Sequence, residues 1–427
     1  ETNKIDGNNW MSVLPDETYL SEMSIPGVYD CAAYASNVAD AAQAQTPLKK
    51  ANGTTIGNQE VGEQMMAYLR AGNRVFDFKL SSAYDNSGNV SFNITRMVSN
   101  TTNATFDFGK MVKGAQAWLY EHPTECVICV ISDYNTEITH SNAGYYTANT
   151  SVVSNRDGKT YTYVAHDYKV NNLTRVNYNK GHELSPYEAG IKNFIETETP
   201  TDLLLKKYDE NLTLGEARGK VVIIDLSPYP DPDGLAVEGF IVNTHPSSDS
   251  WFQDTRTIEN EIALSTNKFG NGTMYIQDFL NLQRRGTSGQ HTIEDAANGG
   301  NFNTDVTKKK GYLDVAFAQA GGDTDHKNWY LISTAARGWV NSAYLTTLYY
   351  SNAATGNTYN INGYTKTIAN NASSGGTYQR LGMVLNAFAG TETYKEGNTG
   401  TNRTLEQIIW ENNYKGNGPL TKSSATE

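Results

Sequence analysis

Two stretches of the sequence decide the fold: Ser24-Ile25-Pro26-Gly27-Val28-Tyr29-Asp30 and Gly72-Asn73-Arg74-Val75-Phe76-Asp77-Phe78-Lys79. Each contains a short apolar run, which predicts strands at Met23–Pro26 and Arg74–Leu80. Each also carries a carboxylate at or near the end of its strand, Asp30 in the first and Asp77 in the second. A carboxylate in such a position either holds the amides of a loop or lines a functional site, and the residues alone leave both readings open.

Outward from these stretches, β-branched runs alternate with segments of helical spacing. Nearly continuous apolar strands that alternate with helices predict a parallel sheet covered on both faces, and so many units favour closure into an α/β barrel. The other predicted strands are Cys126–Ser132, Val221–Leu226, Met274–Gln277, Trp329–Ser333 and Leu381–Phe388. The predicted helices are Gln59–Arg70, Phe108–Glu121, Leu214–Arg218 and Thr404–Glu411.

The chain has 427 residues, which is long for one domain but within the range of barrels that carry insertions. Thr136–Glu183 is polar and tyrosine-rich, and Arg284–Asp325 is rich in Gly and Asn and contains Lys308-Lys309-Lys310. Both segments lack the apolar density of a core, so we predict insertions about 136–183 and 284–325. The prediction is a single domain over 1–427, with a barrel core about 9–390 and a C-terminal helix at 404–411.

Composition restricts the possible partners. The formal net charge is -12 and no basic cluster stands out, which disfavours nucleic acid and anionic membrane surfaces. No apolar run approaches the roughly 18 residues that a spanning helix needs. The chain starts at Glu1, so any signal or anchor would lie outside it, and 27 tyrosines with 34 Lys plus Arg favour a secreted or cell-surface protein. The oligomeric state cannot be predicted from these features.

The cysteines and histidines indicate neither a disulfide framework nor a metal site. Cys31, Cys126 and Cys129 are an odd number, and the last two lie within one apolar strand, where residues three apart face opposite sides. We therefore predict buried packing thiols. The histidines show no metal-ligand spacing and Asp231-Pro232-Asp233-Gly234 is a turn rather than a calcium loop, so no cofactor is expected.

The chain resembles bacterial phosphatidylinositol-specific phospholipase C, in which the first stretch usually reads Ser-Ile-Pro-Gly-Thr-His-Asp. The likeness runs from about Asn9 to Gly390 and rests on several motifs in shared order. It implies a distorted TIM barrel with its functional site at the C-terminal ends of the strands. The matching segments are Asn9-Trp10-Met11, Leu14-Pro15, Ser24–Asp30, Phe106–Tyr134, Gly219–Ile224, Met274–Asp278, Trp329–Ser333 and Arg380–Leu385.

The resemblance also implies that the catalytic residues are replaced. The general base, a histidine in the family, falls on Tyr29, and the carboxylate that orients the acid histidine falls on Ala387. The acid histidine itself is expected within Val90–Ile94, which contains none, and no histidine precedes His122. The arginine that binds phosphate falls on Lys79.

At other positions of the family site, the resemblance implies that this chain either keeps the family's residue or has one of different charge. Asp30, the partner of the base, is kept, as is Asp77. Asp278 matches a ligand of the inositol hydroxyls, whereas the arginine that grips the inositol falls near Asp225 or Leu226. We expect Tyr29, Asp30, Lys79 and Asp278 to lie at one mouth of the barrel, with Lys79 paired to Asp30 or Asp77.

Cleavage of phosphatidylinositol needs a base, an acid and a cation on the phosphate. A tyrosine with its ordinary pKa is only about one part in a thousand ionised at neutral pH, and each acid or base role contributes roughly 10²–10⁴ in rate. Lys79 supplies a point charge without the two-pronged grip of arginine. The usual mechanism is therefore excluded, while a phosphate-binding pocket is not.

Three functions remain open from the sequence. The first is a catalytically degenerate barrel that binds a sugar, polyol or sugar phosphate, with Tyr29 as a plug or stacking surface. The second is an active phosphodiesterase with a relocated acid–base set that uses Asp30, Tyr29, Lys79 or a histidine from an insertion. The third is a surface interaction protein that uses the barrel as a scaffold.

Overall fold

The structure is a computed structural model of the chain. It describes residues 4–32, 47–57, 60–84, 89–99, 102–133, 145–153, 160–168, 190–191, 193–194, 203–204, 210–225, 240–241, 265–269, 272–277, 284–285, 291–292, 302–335, 351–352, 357–358, 361–371, 378–390, 393–395 and 402–422.

The elements follow one another in βα order over most of the described chain. The strands are β1 (Ile25–Val28), β2 (Val75–Tyr84), β3 (Val90–Ser99), β4 (Thr102–Asp107), β5 (Val127–Asp133), β6 (Tyr145–Val153), β7 (Thr160–Tyr168), β8 (Leu203–Leu204), β9 (Val221–Asp225), β10 (Phe240–Ile241), β11 (Ser265–Phe269), β12 (Gly272–Gln277), β13 (Arg284–Arg285), β14 (His291–Thr292), β15 (Trp329–Ser333), β16 (Ser351–Asn352), β17 (Asn357–Thr358), β18 (Met383–Asn386), β19 (Thr393–Lys395) and β20 (Asn402–Thr404). The helices are α1 (Val61–Arg70), α2 (Phe108–Glu121), α3 (Leu214–Ala217), α4 (Phe302–Gly322), α5 (Ile361–Asn371) and α6 (Leu405–Glu411). Short 3-10 turns lie at Trp10–Val13, Leu20–Glu22 and Asn412–Tyr414.

One curled sheet organises the molecule, in the order β10-β9-β5-β2-β1-β18-β15-β12-β11. The pairings from β10 through to β12 are all parallel, and only the edge strand β11 runs antiparallel to its neighbour. This is the sheet of a distorted TIM barrel, as the sequence predicted. Within the described residues, no backbone pairing joins β10 to β11.

The strands separate the apolar residues into an interior and an outer layer, because successive side chains point to opposite faces. The interior cluster contains alternate residues of the parallel strands. It also contains residues of the N-terminal segment, among them Trp10, Leu14 and Leu20. The outer residues of the sheet pack against helices, with α1 and α2 on one side and α4, α5 and α6 on the other.

The two cysteines of the C-x-x-C sequence illustrate this separation. Cys126 belongs to the interior cluster and Cys129 to the outer one, and both are fully buried. Burial raises the pKa of the Cys126 thiol to about 12, so it stays protonated at neutral pH. The prediction of packing thiols on opposite faces is confirmed.

The prediction of a second insertion at 284–325 is wrong for residues 302–322. Residues 302–322 of the segment 284–325 form α4, which covers the sheet with Leu313, Ala316, Phe317 and Ala320 in the outer cluster. The sequence did not predict this helix, because its regular apolar spacing begins only after the polar run Lys308-Lys309-Lys310. In the first predicted insertion, 136–183, β6 and β7 pair with each other in a two-stranded sheet of their own. The single domain over 1–427 stays a prediction.

Buried ion pairs close the lower end of the barrel, where the parallel strands begin. Arg74, directly before β2, contacts Glu125 at 2.8 Å, and both side chains are fully buried. The Met11 amide donates to Glu125, and the Arg74 guanidinium lies 4.7 Å from the centre of the Trp118 ring.

A second group lies on the other side of the same end. Arg380, before β18, contacts Glu22 at 2.8 Å and Asp323 at 3.3 Å. Asp323 also accepts a hydrogen bond from the Tyr330 hydroxyl at 2.6 Å. Together, the two groups link the N-terminal segment to the starts of four strands, β2, β5, β15 and β18. Across the described residues, no helix is both long and apolar enough to cross a bilayer.

Candidate functional site

The candidate site is the mouth, which we define as the end of the barrel where β1, β2, β5, β9, β12, β15 and β18 finish. Parallel strands bring their carboxyl ends to one edge, and this is where TIM barrels carry their functional residues. Tyr29 and Asp30 follow β1, and Ala387 follows β18. Asp77 lies within β2, in the same register as Val130 of β5.

Tyr29 and Ala387 directly follow two neighbouring strands, β1 and β18. Val28 is opposite Asn386 in the parallel register, and the Tyr29 amide donates to the Asn386 carbonyl at 3.1 Å. Tyr29 is 4% exposed and Ala387 is fully buried, and both belong to the interior apolar cluster. The positions predicted for the base and for the orienting carboxylate are therefore filled by a buried phenol and a methyl group.

The two retained carboxylates at this end are linked through the backbone. Asp30 has a φ of 41°, in the left-handed region, and its amide donates to Asp77 Oδ2 at 2.9 Å. Asp77 is 1% exposed, and its carbonyl accepts from the Cys31 amide at 3.0 Å. Aspartate tolerates the left-handed region better than most residues. In this structure Asp77 holds the amide of the turn after β1, which is the structural role that the sequence left open.

Cys31 is not an alternative nucleophile. Burial, followed by the nearby charges of Asp77 and Asp30, raises the pKa of the Cys31 thiol well above its ordinary value. A thiol that stays protonated is a poor nucleophile. The group packs in the outer cluster with residues of α1.

The remaining predicted site residues are placed only in part. Lys79 lies in β2 opposite Ser132, and Asp225 ends β9 opposite Ile131. Their side chains, and the whole of Asp278, lie outside the described residues. The predicted pairing of Lys79 with Asp30 or Asp77 therefore stays a prediction, as does the place of Asp278.

The segment in which the acid histidine was expected is part of an antiparallel hairpin. Val90–Ile94 belongs to β3, and Ile94 pairs with Leu80 of β2. Ile94 is fully buried in the outer cluster, and the ring of Phe92 meets that of Phe108 in α2 edge-on at 5.6 Å between centroids. Two side chains of this segment thus build the helix-facing layer.

The histidines whose side chains the structure describes both lie at the lower end. His122 is the C-cap of α2, as predicted, and its ring packs against Trp118 with 4.3 Å between centroids. His326 stacks on Tyr19 at 4.1 Å and contacts Asn211 at 2.9 Å. Neither can take over proton transfer at the opposite end.

Sequence reasoning missed polar residues that support the mouth from the outer layer. Lys309 of α4 is fully buried and donates to Gln277, the last residue of β12, at 2.6 Å. Asn362 of α5 donates to the Ala387 carbonyl at 2.9 Å. Lys309 lies four and seven residues before the buried Leu313 and Ala316, so helical spacing could have placed it on the buried face.

The chain leaves β18 through a tight turn. Phe388 has a φ of 55° and Gly390 a φ of 75°. The Gly390 amide donates to the buried carboxylate of Glu406 in α6 at 2.6 Å. The Phe388 ring is partly buried and packs against the interior cluster.

The described residues contain no group of three His, Cys, Asp or Glu side chains placed to hold a metal ion. The described part of the mouth consists of a phenol, hydrophobic side chains, hydrogen-bonded carboxylates and amides. Such a set can accept hydrogen bonds from hydroxyls and contact an apolar ring face. It contains no side chain suited to general base catalysis at neutral pH in the base position.

No family model matches the chain, and no curated protein matches its sequence. Solved structures do match. One structure of the phosphatidylinositol-specific phospholipase C of Staphylococcus aureus is 17% identical with a TM-score of 0.53, and covers 95% of this chain and 97% of its own. A mutant of that enzyme is 15% identical with a TM-score of 0.52, and covers 95% of this chain and 96% of its own. The chain therefore has the distorted TIM barrel fold of bacterial phosphatidylinositol-specific phospholipase C.

Proposed function

We propose that this chain is a phospholipase-C-like barrel that has lost its phosphodiesterase chemistry and binds a sugar, polyol or sugar phosphate at the mouth. The observation that carries the proposal is the pair of Tyr29 and Ala387, which directly follow adjacent strands and belong to the interior apolar cluster. In the enzymes of this fold, as the resemblance implies, the two positions hold the base and the carboxylate that orients the acid.

The size of the chemical loss supports this function over retained catalysis. A buried phenol and a methyl group provide neither a base near neutral pH nor an orienting charge. Each missing acid or base role is worth roughly 10²–10⁴ in rate, so the two together remove about four orders of magnitude or more. Lys79 in place of the arginine weakens the grip on phosphate further.

The charges at the mouth favour neutral ligands over anionic ones. Asp30 is partly exposed there, Asp77 lies beside it, and the chain as a whole carries a net charge of -12. Carboxylate oxygens accept hydrogen bonds from ligand hydroxyls, and an aromatic surface suits the apolar face of a sugar. We therefore expect neutral polyols and sugars to bind more tightly than their phosphates. The tyrosine-rich composition further supports a secreted or cell-surface protein.

The first test is hydrolysis of phosphatidylinositol in detergent micelles at neutral pH, with the Staphylococcus aureus enzyme as a positive control. We expect no detectable release of inositol phosphate. Turnover within a hundredfold of the control that is abolished by Tyr29→Phe would instead show an active phosphodiesterase with a relocated acid–base set.

The second test is the single substitution Tyr29→His. It returns the base but not the acid, its orienting carboxylate or the arginine, and groups that act as a unit are strongly non-additive. We expect the variant to remain inactive. Substantial activity would reveal a residue that supplies the acid from elsewhere in the chain.

The third test is titration calorimetry with myo-inositol, a panel of pyranoses and inositol phosphate. We expect binding, with neutral members preferred. Tighter binding of inositol phosphate that is lost in Lys79→Met would show that the mouth still functions as an anion site. Absence of binding to every member would favour the third function, a scaffold for surface interactions.

A further inference from the structure

The turn after β18 holds a bulky aromatic residue in an unfavourable backbone conformation. Phe388 has a φ of 55°, which is uncommon for any residue other than glycine and a clear outlier for an aromatic one. Strain of this kind persists only where the surroundings impose it, and it is concentrated at active sites and ligand clamps. The turn therefore calls for an explanation beyond chain reversal, which a glycine at 388 would achieve without strain.

Two buried side chains fix the turn on either side of Phe388. The Asn362 amide donates to the Ala387 carbonyl at 2.9 Å, and the Glu406 carboxylate accepts from the Gly390 amide at 2.6 Å. Both side chains are 1% exposed, and they come from different helices, α5 and α6. The backbone before and after Phe388 is thus fixed independently of its ring.

The fixed turn places the ring at the mouth. Phe388 packs against the interior cluster, to which Tyr29 and Ala387 belong, and part of its surface remains accessible. The Tyr29 amide donates a hydrogen bond to the carbonyl of Asn386, two residues before Phe388. The next residue, Asp30, is partly exposed and also has left-handed backbone. Phe388 and Asp30 therefore both lie just after neighbouring strands, β18 and β1, at the mouth.

We propose that Phe388 is a specificity-determining residue of the mouth, whose ring receives the C–H face of a cyclic polyol or pyranose. Asp30 accepts hydrogen bonds from hydroxyls at the rim of that ligand. The inference rests on the proposed function and narrows its ligand class from polyols in general to cyclic ones. A linear polyol offers hydroxyls but no flat apolar face, so it gains less from the ring.

The test compares wild type with Phe388→Gly, Phe388→Ala and Phe388→Trp by titration calorimetry with myo-inositol and with linear sorbitol. We expect Phe388→Gly and Phe388→Ala to bind myo-inositol about tenfold more weakly, a loss typical of one aromatic contact. Affinity for sorbitol should change little, and Phe388→Trp should retain the preference for the cyclic ligand. Tyr120→Ala removes an aromatic side chain that is 72% exposed at the lower end of α2 and serves as the matched control.

Thermal unfolding separates a ligand surface from simple packing. Because glycine accepts positive φ without strain, Phe388→Gly should unfold at a temperature no lower than that of Phe388→Ala. Unchanged affinity for myo-inositol in Phe388→Gly overturns the inference while leaving the proposed function intact. Wild-type protein that binds neither inositol nor any pyranose overturns both.

A positioning role for Glu406 follows and can be tested separately. Glu406→Gln keeps an oxygen to accept the Gly390 amide and should retain the preference for myo-inositol over sorbitol. Glu406→Ala releases the turn and should reduce that preference in protein that remains folded. If both variants and wild type prefer myo-inositol over sorbitol equally, Glu406 does not position Phe388 through the turn.

Discussion

The two ends of this barrel differ in how their buried side chains are paired. At the lower end, Arg74 and Glu125 form a fully buried ion pair, and Arg380 joins Glu22 and Asp323. At the mouth, the position predicted for the base holds a buried tyrosine beside an alanine. Charged residues are therefore paired inside the fold at the lower end, whereas Tyr29 and Ala387 place a phenol and a methyl group in the interior at the mouth.

This difference has a physical basis. Residues at the lower end join strand starts that are distant in sequence, so replacing one leaves buried charges unpaired. Residues at the mouth extend from strand ends and loops, and exchanging them changes the chemistry with a smaller cost to the sheet. A shared fold is thus weak support for shared catalysis.

The largest effect is expected from Glu125→Ala. The variant leaves the Arg74 guanidinium fully buried without its carboxylate, which should lower the free energy of unfolding by about 3–5 kcal/mol. Chemical denaturation of the variant and of wild type measures this difference in the free energy of unfolding. The paired replacement Arg74→Met with Glu125→Leu is the control and should cost much less, because no charge is then left unpaired. A loss below about 1 kcal/mol in Glu125→Ala would contradict the role of the pair.

A smaller loss is expected at the mouth from Ala387→Asp. The substitution puts a carboxylate into a fully buried position beside Tyr29, which should cost about 2–4 kcal/mol. Ala387→Asn separates the effect of size from that of charge and should cost less. In a Tyr29→His background the cost should fall, because an imidazole can pair with the new carboxylate. If Ala387→Asp is neutral, the mouth is more open to water than its burial indicates.

A pH-dependent effect is expected from Asp323 at the lower end. Burial by itself raises the pKa of Asp323, but hydrogen bonds from Tyr330, the Asp325 amide and Asn328 outweigh it, so the pKa lies below its ordinary value of 3.8. A carboxyl with a lowered pKa stabilises the fold above its unfolded pKa and loses this contribution as the pH falls through the folded pKa.

The pKa of Glu22 is raised, unlike that of Asp323, because burial raises it more than the charge of Arg380 lowers it. Its contribution is therefore largest in acid and is lost as the pH rises through the folded pKa. We expect Asp323→Asn to reduce the fall in melting temperature below about pH 4, and Glu22→Gln not to reduce it. Melting curves from about pH 6 to pH 3 measure both variants. Parallel curves for Asp323→Asn and wild type would contradict the assignment.

The smallest effect is expected from Thr404→Ala at the start of α6. The Thr404 hydroxyl accepts from the Gln407 amide at 3.1 Å as the N-cap of this helix, and its loss should cost about 1 kcal/mol. Thr404→Ser is the matched control and should retain most of the stability. Because α6 carries Glu406, a fall in ligand affinity with Thr404→Ala, without global unfolding, would connect the cap to the mouth.

Local patterns predicted most of the regular elements. Phe108–Glu121 and Trp329–Ser333 have the predicted bounds, because their apolar spacing is unbroken and their ends carry clear signals. The β3–β4 hairpin and α5 were missed, since their polar and small residues give weak periodicity. The segment that contains Lys309 was predicted to be an insertion because it lacks the apolar density of a core, whereas Lys309 itself is buried against Gln277 of the sheet.

The sequence by itself determined the class of fold and the absence of the usual catalytic histidines, because both depend on residue types in order along the chain. Only the tertiary structure showed that Tyr29 lies beside Ala387, that Arg74 pairs with Glu125, and that Phe388 is fixed over the interior cluster. Those relations join residues that are far apart in the chain. They depend on strand register and on the packing of helices against the sheet, which local spacing does not encode.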